Sequence, residues 1–234
     1  MQVVILCGGK GMRAYPYTDH VPKPMLPVCG KPILIHLMEI YAEQGHREFI
    51  LSLGYRKEVV VDYFRGRSRE WKVQCVDTGE KADTAERIAR CADLLGDTFF
   101  ATYADGLADI DLARLLECHQ SHDGVATLTT VPLPSSYGTV EITQADRVVD
   151  FQEKPVIRDH WINAGFFVLE PSVFDRIEGD ATVFEREPLE GLAREGQLTA
   201  YRHDGFWQPM DTLRDKTQLD SLWRSGRAPW KVWA

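Results

Sequence analysis

Short apolar runs alternate with amphipathic stretches along the first half of this chain, and that alternation restricts the fold more than any single motif does. Val3-Val4-Ile5-Leu6 is a β-branched and aliphatic run of the kind that forms a buried strand. Over residues 32–44 apolar side chains recur at helical spacing, with a proline in the first turn and Gly45 as a stop. Residues 49–54 then read as a strand, 58–64 as a helix, 72–76 as a strand, 84–95 as an amphipathic helix, 99–104 as a strand and 111–119 as a helix with an acidic start. Elements of this length in β-α-β-α order imply a mostly parallel sheet with helices on both faces. The second half has a different texture. Residues 126–131, 138–142, 148–151 and 162–169 read as strands, and 183–194 and 213–223 as helices. The expected class is α/β: a Rossmann-like, mostly parallel mixed sheet flanked by helices, with a small β part and a C-terminal helical part. The chain has 234 residues, 44% of them hydrophobic, and no long linker or internal repeat, so one domain over 1–234 is expected.

Directly after the first apolar run come Leu6-Cys7-Gly8-Gly9-Lys10-Gly11-Met12-Arg13. Three glycines let a loop bring backbone N–H groups close to an anion without interference from Cβ atoms. Gly11 reads as a position where an added side chain would obstruct the anion and leave the fold intact. Arg13 offers a planar fork for two phosphate oxygens, and Lys23 a compact point charge. Lys23 lies in Pro22-Lys23-Pro24-Met25-Leu26-Pro27, where the prolines hold the segment extended. A lone Gly-Gly-x-Gly also serves as a plain tight turn. The spacing departs from the Walker loop, since no Ser or Thr follows Gly11, and from the dinucleotide fingerprint, which would need a glycine where Ala14 stands.

A net charge of −8 argues against a nucleic-acid or anionic-membrane surface, so a phosphate site has to be a local basic pocket on an acidic body. No apolar stretch approaches the length of a membrane span, and the N-terminal run lacks the pattern of a signal peptide, so a cytoplasmic protein is expected. Cys7, Cys29, Cys75, Cys91 and Cys118 form an odd set without a Cys-x-x-Cys pair, which suggests neither a disulfide framework nor a zinc site. His119 and His122 share a helical face but lack the companions of a metal site. The Trp-rich tail, 225–234, needs a surface to cover, on the body or on a neighbouring subunit.

Two acidic residues stand out. Asp105 follows a strand, at the carboxyl end where open α/β sheets place their ligands. Asp211 sits in the otherwise apolar Phe206-Trp207-Gln208-Pro209-Met210-Asp211. A shared magnesium ion needs only a few protein carboxylates beside phosphates and water. The competing readings are a turn aspartate for Asp105 and a helix N-cap for Asp211. Glu153-Lys154-Pro155 and Asn163-Ala164-Gly165 could hold a monophosphate and sugar hydroxyls, whereas an isolated Glu-Lys-Pro is more simply an exposed ion pair.

In this order the motifs Gly8-Gly9-x-Gly11-x-Arg13, Pro22-Lys23-Pro24, Asp105-Gly106, Glu153-Lys154-Pro155, Asn163-Ala164-Gly165 and the late Asp211 resemble the sugar-1-phosphate nucleotidylyltransferases over essentially the whole chain. Within them, Val76-Asp77-Thr78-Gly79, the segment 205–216 and Ala228-Pro229-Trp230-Lys231-Val232-Trp233 are similar to the members that join CTP to glucose 1-phosphate. The resemblance implies residues 1–124 mainly for the nucleotide and 125–234 mainly for the sugar phosphate, with sugar-binding strands in the second half. It further implies that Leu6, Gly8, Gly9, Gly11, Met12 and Arg13 hold the nucleotide, with Thr78, Gly79 and Arg87 near its base or ribose. Lys23 would stabilise charge at the α-phosphate, Asp105 and Asp211 would share Mg2+, and Tyr137, Gly138, Glu153, Lys154 and Asn163 would bind the sugar phosphate. The catalytic set is then Arg13, Lys23, Asp105 and Asp211, in a homo-oligomer. Two departures touch base choice or subunit contact: Met12 replaces a common threonine, and the segment between Phe64 and Trp71 is short. Related readings are UTP or dTTP as nucleotide, another sugar 1-phosphate, or a sugar-nucleotide sensor without turnover.

Overall fold

The computed structural model describes residues 1–11, 17–66, 70–177, 179 and 181–233. In chain order its elements are β1 (Gln2–Leu6), β2 (Pro27–Val28), β3 (Lys31–Pro32), α1 (Ile33–Glu43), β4 (Glu48–Leu53), α2 (Lys57–Phe64), β5 (Lys72–Asp77), α3 (Thr84–Ala89), β6 (Phe99–Tyr103) and β7 (Gly106–Ala108). Then follow α4 (Leu112–Gln120), β8 (Ala126–Pro134), β9 (Thr139–Ile142), β10 (Val148–Gln152), β11 (Val156–Leu169), α5 (Glu187–Arg194), β12 (Leu198–Arg202), β13 (Trp207–Pro209) and α6 (Leu213–Arg224).

Seven strands form one sheet in the order β12-β8-β11-β6-β1-β4-β5, so strands from both sides of residue 124 share it. Neighbours are parallel except β11, which runs antiparallel to both β6 and β8. Successive side chains of a strand face opposite sides. Val3 and Ile5 of β1 therefore join the apolar cluster around α1, and Val4 joins the cluster that includes Ile50, Ile88, Phe99 and Phe184 on the other side. Burial on both faces is what the continuous apolar strands imply. None of the described helices is long and apolar enough to cross a membrane.

Several elements differ from expectation, each for a local reason. The helix expected over 84–95 ends at Ala89 and tightens into a 3-10 turn at Ala92–Leu94. α5 starts at Glu187 instead of 183, with Pro188 in its first turn, while the Phe184 N–H donates to Thr84 Oγ1 (2.8 Å) and so draws the preceding residues onto α3. β11 begins at Val156, six residues before its expected start, and register shifts interrupt its pairing with β8. The two-stranded ribbon of β7 and β13 was not expected, because three-residue strands carry too few positions for an alternation to be read.

The tail packs on its own body. Trp230 is fully buried, its ring 5.6 Å from Phe206 and 6.2 Å from Trp223, and the Lys31 ammonium lies over Trp223 and Trp233 at 5.0 and 5.2 Å. The β9–β10 hairpin is the opposite case: Val140, Ile142, Val148, Val149 and Phe151 are all exposed.

Candidate active site

The β7–β13 ribbon joins the two aspartates that the sequence separates by more than a hundred residues. Gly106 pairs with Pro209, and the Met210 N–H donates to the Asp105 carbonyl (2.8 Å). Asp105 and Asp211 thus leave the same end of the ribbon together. Their carboxylates meet on one ammonium: Lys23 Nζ donates to Asp105 Oδ2 at 2.5 Å and to Asp211 Oδ1 at 2.6 Å. Lys23 is 7% exposed and sits in a 3-10 turn, Lys23–Met25, entered through Pro22 in extended conformation. The prolines therefore set the approach of a nearly buried lysine.

The capping alternative for Asp211 does not hold. Thr212 caps α6, its hydroxyl accepting from the Asp215 N–H (3.3 Å), while Asp215 Oδ2 accepts from the Thr212 N–H (2.8 Å) in a reciprocal capping box. Asp211 supplies only its N–H to Asp215 (3.0 Å), and its carboxylate points to Lys23. Among the described residues no group of three or more His, Cys, Asp and Glu is arranged to hold a metal ion. Two converging carboxylates nonetheless fit magnesium, a hard cation that completes its shell from substrate phosphate and water.

The glycine loop lies over a buried cation. Arg87, 4% exposed, donates from Nη1 to Thr78 Oγ1 (2.8 Å) and the Gly79 carbonyl (3.0 Å), and from Nη2 to the Glu80 carbonyl (3.4 Å). All are neutral acceptors, and burial lowers the Arg87 pKa from its ordinary value. A Cβ on Gly8 would lie 1.9 Å from Arg87 Nη1, and one on Gly54 2.6 Å from it, so the two glycines let the guanidinium pass beneath the loop. Gly11 differs from its sequence reading. It has φ +61°, and a Cβ there would lie 2.9 Å from Lys23 Cβ, so a larger residue would disturb Lys23 itself.

These parts wall one crevice of about 640 Å3. Of the expected site residues, Leu6, Gly8, Gly9, Gly11, Lys23, Arg87, Asp105, Asn163 and Asp211 line it. Thr78 is fully buried behind it and reaches it only through Arg87, and Gly79 contributes its carbonyl to the same arginine. Tyr137, Gly138, Glu153 and Lys154 are not among the lining residues. Tyr137 is exposed, and Glu153 and Lys154 pair with each other at 3.1 Å, the arrangement foreseen for an isolated Glu-Lys-Pro. Gly138 lies under Phe151, whose ring a Cβ would approach to 2.7 Å. Met12 and Arg13 fall outside the described residues, as do 67–69 of the short segment. Sequence reading missed Glu80, Lys81, Asp83 and Thr84 before and at the start of α3, and Tyr103, Glu185 and Trp207. The Trp207 indole N–H donates to the Ala164 carbonyl (2.8 Å), tying the ribbon to β11. Only the position of Tyr103, two residues before Asp105 at a strand end, gave a signal that could have marked it.

A family model described as "Nucleotidyl transferase" matches residues 2–221. The chain belongs to the nucleotidyl transferase family. It is 44% identical to the glucose-1-phosphate cytidylyltransferase of Salmonella typhi and 41% identical to the probable glucose-1-phosphate cytidylyltransferase of Bacillus subtilis, in each case over the full length of both proteins. The first of these alignments runs over 257 positions against 234 residues here, so that relative carries segments this nucleotidyl transferase lacks. The structure of HddC from Yersinia pseudotuberculosis superposes with a TM-score of 0.77 at 25% identity, covering 95% of this chain and 99% of that one. The mostly parallel, helix-flanked sheet expected from the sequence is the architecture of the family.

Proposed function

We propose that this nucleotidyl transferase condenses CTP with α-D-glucose 1-phosphate to give CDP-glucose and pyrophosphate. Full-length similarity to glucose-1-phosphate cytidylyltransferases supports the choice of substrates. The observation that carries the chemistry is the meeting of Lys23, Asp105 and Asp211 beside the glycine loop in one crevice. An oxygen of the sugar phosphate attacks the α-phosphorus in line; a new P–O bond forms as the α–β bridging P–O bond breaks, and pyrophosphate departs with its electron pair. No covalent enzyme intermediate is required, since orientation and electrostatic stabilisation lower such a barrier.

Mg2+, held by Asp105 and Asp211, would supply charge neutralisation and a template for the phosphates. The lining favours that reading: among its described residues Glu80, Asp83, Asp105, Glu185 and Asp211 outnumber Lys23, Lys81 and Arg87, an unwelcoming wall for two anionic substrates without a divalent cation. Lys23 faces the charge that develops at the α-phosphate, the N–H groups of Gly9 and Gly11 cradle the triphosphate with Arg13, and Leu6, Gly8, Met12 and Arg87 border the nucleotide. Thr78 and Gly79 act by holding Arg87 in place. Asn163 meets the hexose, and Tyr137 and Gly138, just before β9, with Glu153 and Lys154, just after β10, complete its phosphate and hydroxyl contacts. Residues 1–124 accordingly serve mainly the nucleotide and 125–234 mainly the sugar phosphate.

The protein works in the cytoplasm as a homo-oligomer. Its five free cysteines suit a reducing compartment, and the exposed apolar hairpin suits contact with a second copy better than the tail, which is already buried. The test is pyrophosphate release across a panel of CTP, UTP, dTTP, ATP and GTP with several sugar 1-phosphates. Highest kcat/KM for CTP with glucose 1-phosphate supports the assignment. Preference for another nucleotide refutes the base choice alone, and nucleotide binding without release marks a sensor.

A further inference from the structure

Glu185 is a crevice carboxylate that belongs to neither the glycine loop nor the aspartate pair, and the fold holds it from several sides. Phe184, fully buried, packs edge-on to Phe167 with centroids 5.5 Å apart. The Ala85 N–H donates to the Thr182 carbonyl (3.2 Å) and the Phe184 N–H to Thr84 Oγ1 (2.8 Å), so residues 182–184 are pinned to the start of α3. The side chain of Glu185 is then fixed from two walls of the crevice. Thr84 Oγ1 donates to its Oε2 (2.9 Å), and the Tyr103 hydroxyl donates to its Oε1. Burial and the neighbouring Glu185 charge raise the Tyr103 pKa, so the phenol remains a donor.

Each carboxylate oxygen offers about two acceptor sites, so each keeps one after these bonds. What can those sites face? Both substrates bring phosphates, which a carboxylate repels, and the remaining donors on them are sugar hydroxyls and a base amino group. Tyr103 directs the choice. Its ring abuts Gly165, where φ is +80° and a Cβ would lie 2.4 Å from Tyr103 Cδ2, and Gly165 donates its N–H to the Asn163 side chain (2.8 Å). Glu185 is thereby coupled through one ring to the segment assigned to the hexose, and through Thr84 to the nucleotide side.

We propose that Glu185 is a specificity-determining residue that accepts a hydrogen bond from a sugar hydroxyl of the bound substrates, on the hexose or on the ribose. The inference rests on the sugar-nucleotide reading of the crevice. The carboxylate reads the presence of that hydroxyl, since an analogue without it leaves a charged, preorganised acceptor facing no donor.

The experiment measures binding by calorimetry of CDP-glucose, of analogues each lacking one hexose hydroxyl, and of the 2′-deoxyribose analogue, to wild type, Glu185→Gln and Tyr103→Phe. Wild type is expected to bind one analogue about ten- to a hundredfold more weakly than CDP-glucose through this contact. In Glu185→Gln that gap shrinks severalfold or more while the gaps for the other analogues persist, and in Tyr103→Phe it shrinks partly. Closure for a hexose analogue assigns the hydroxyl to glucose, and closure for the ribose analogue assigns it to the nucleotide. A variant that weakens every ligand alike, or leaves every gap unchanged, overturns the proposal. Absence of wild-type turnover with CTP and glucose 1-phosphate would overturn the catalytic reading while leaving this result, which is read in binding alone.

Discussion

Replacing Lys23 by methionine should move two measurements in opposite directions. Methionine is unbranched and fills a similar space, so the nearly buried position keeps its packing while the charge is removed. The two carboxylate oxygens that share the ammonium lie 2.5 and 2.6 Å from it. They are thus at most about 5 Å apart, and at an effective dielectric constant of about 20 their repulsion is of order 3 kcal/mol. In the wild type the ammonium offsets that repulsion, and a divalent cation binding between the aspartates would have to displace it. In Lys23→Met the ammonium no longer offsets that repulsion and no longer competes for the site, so affinity for Mg2+ or Mn2+ without nucleotide should rise by roughly a hundredfold. Turnover should fall by about 10²–10³, the usual loss when one group stabilising transition-state charge is removed. Titration calorimetry with Mn2+ reads the first change, and pyrophosphate release at saturating metal reads the second. Metal affinity unchanged or weakened would show that the aspartates do not share one cation position. Turnover within about threefold of wild type would remove Lys23 from the charge-stabilising role.

Three further outcomes follow from the packing. Gly8→Ala would set a Cβ 1.9 Å from Arg87 Nη1 and force the guanidinium off Thr78 and Gly79, costing about 1–3 kcal/mol and raising the CTP KM at least tenfold in steady-state kinetics; an unchanged KM would refute the arginine's place beneath the loop. Trp230→Ala should lower stability by about 3–5 kcal/mol in urea unfolding, since the ring is fully buried in the body. His36 is fully buried, and burial lowers its pKa from 6.5 to about 4. Its folded value lies below its unfolded one, so the unfolded chain binds the extra proton first. The stabilisation is whole above about pH 6.5 and declines as the pH falls to about 4, by up to roughly 3 kcal/mol. In His36→Phe, urea midpoints followed over that window should lose this part of their slope.

Much of the fold could be read from local pattern. The short β-branched and aromatic runs that became β1, β4 and β6 are marked as strands by length and composition, α1 by its helical period, and their alternation decided the class. The glycine loop and Lys23-Pro24 were likewise legible, because glycine and proline restrict the backbone wherever they stand. Asp211 was ambiguous, since an acidic residue just before a helix is equally a cap and a ligand. The capping box of Thr212 and Asp215 removes the cap reading. Arg87 lines the crevice as expected, while its bonds to Thr78, Gly79 and Glu80 are a pairing of buried polar groups that no spacing reveals.

The sequence by itself determined the α/β class, the glycine loop and the chemical types at the site, because these follow from side-chain periodicity and from the backbone freedom of particular residues. The tertiary structure alone decided that Asp105 and Asp211 share one ammonium and that Glu185 reaches Tyr103 and Thr84. Those meetings depend on β7 pairing with β13 and on Phe184 seating in the core, long-range contacts whose geometry exists only once the chain between them has folded.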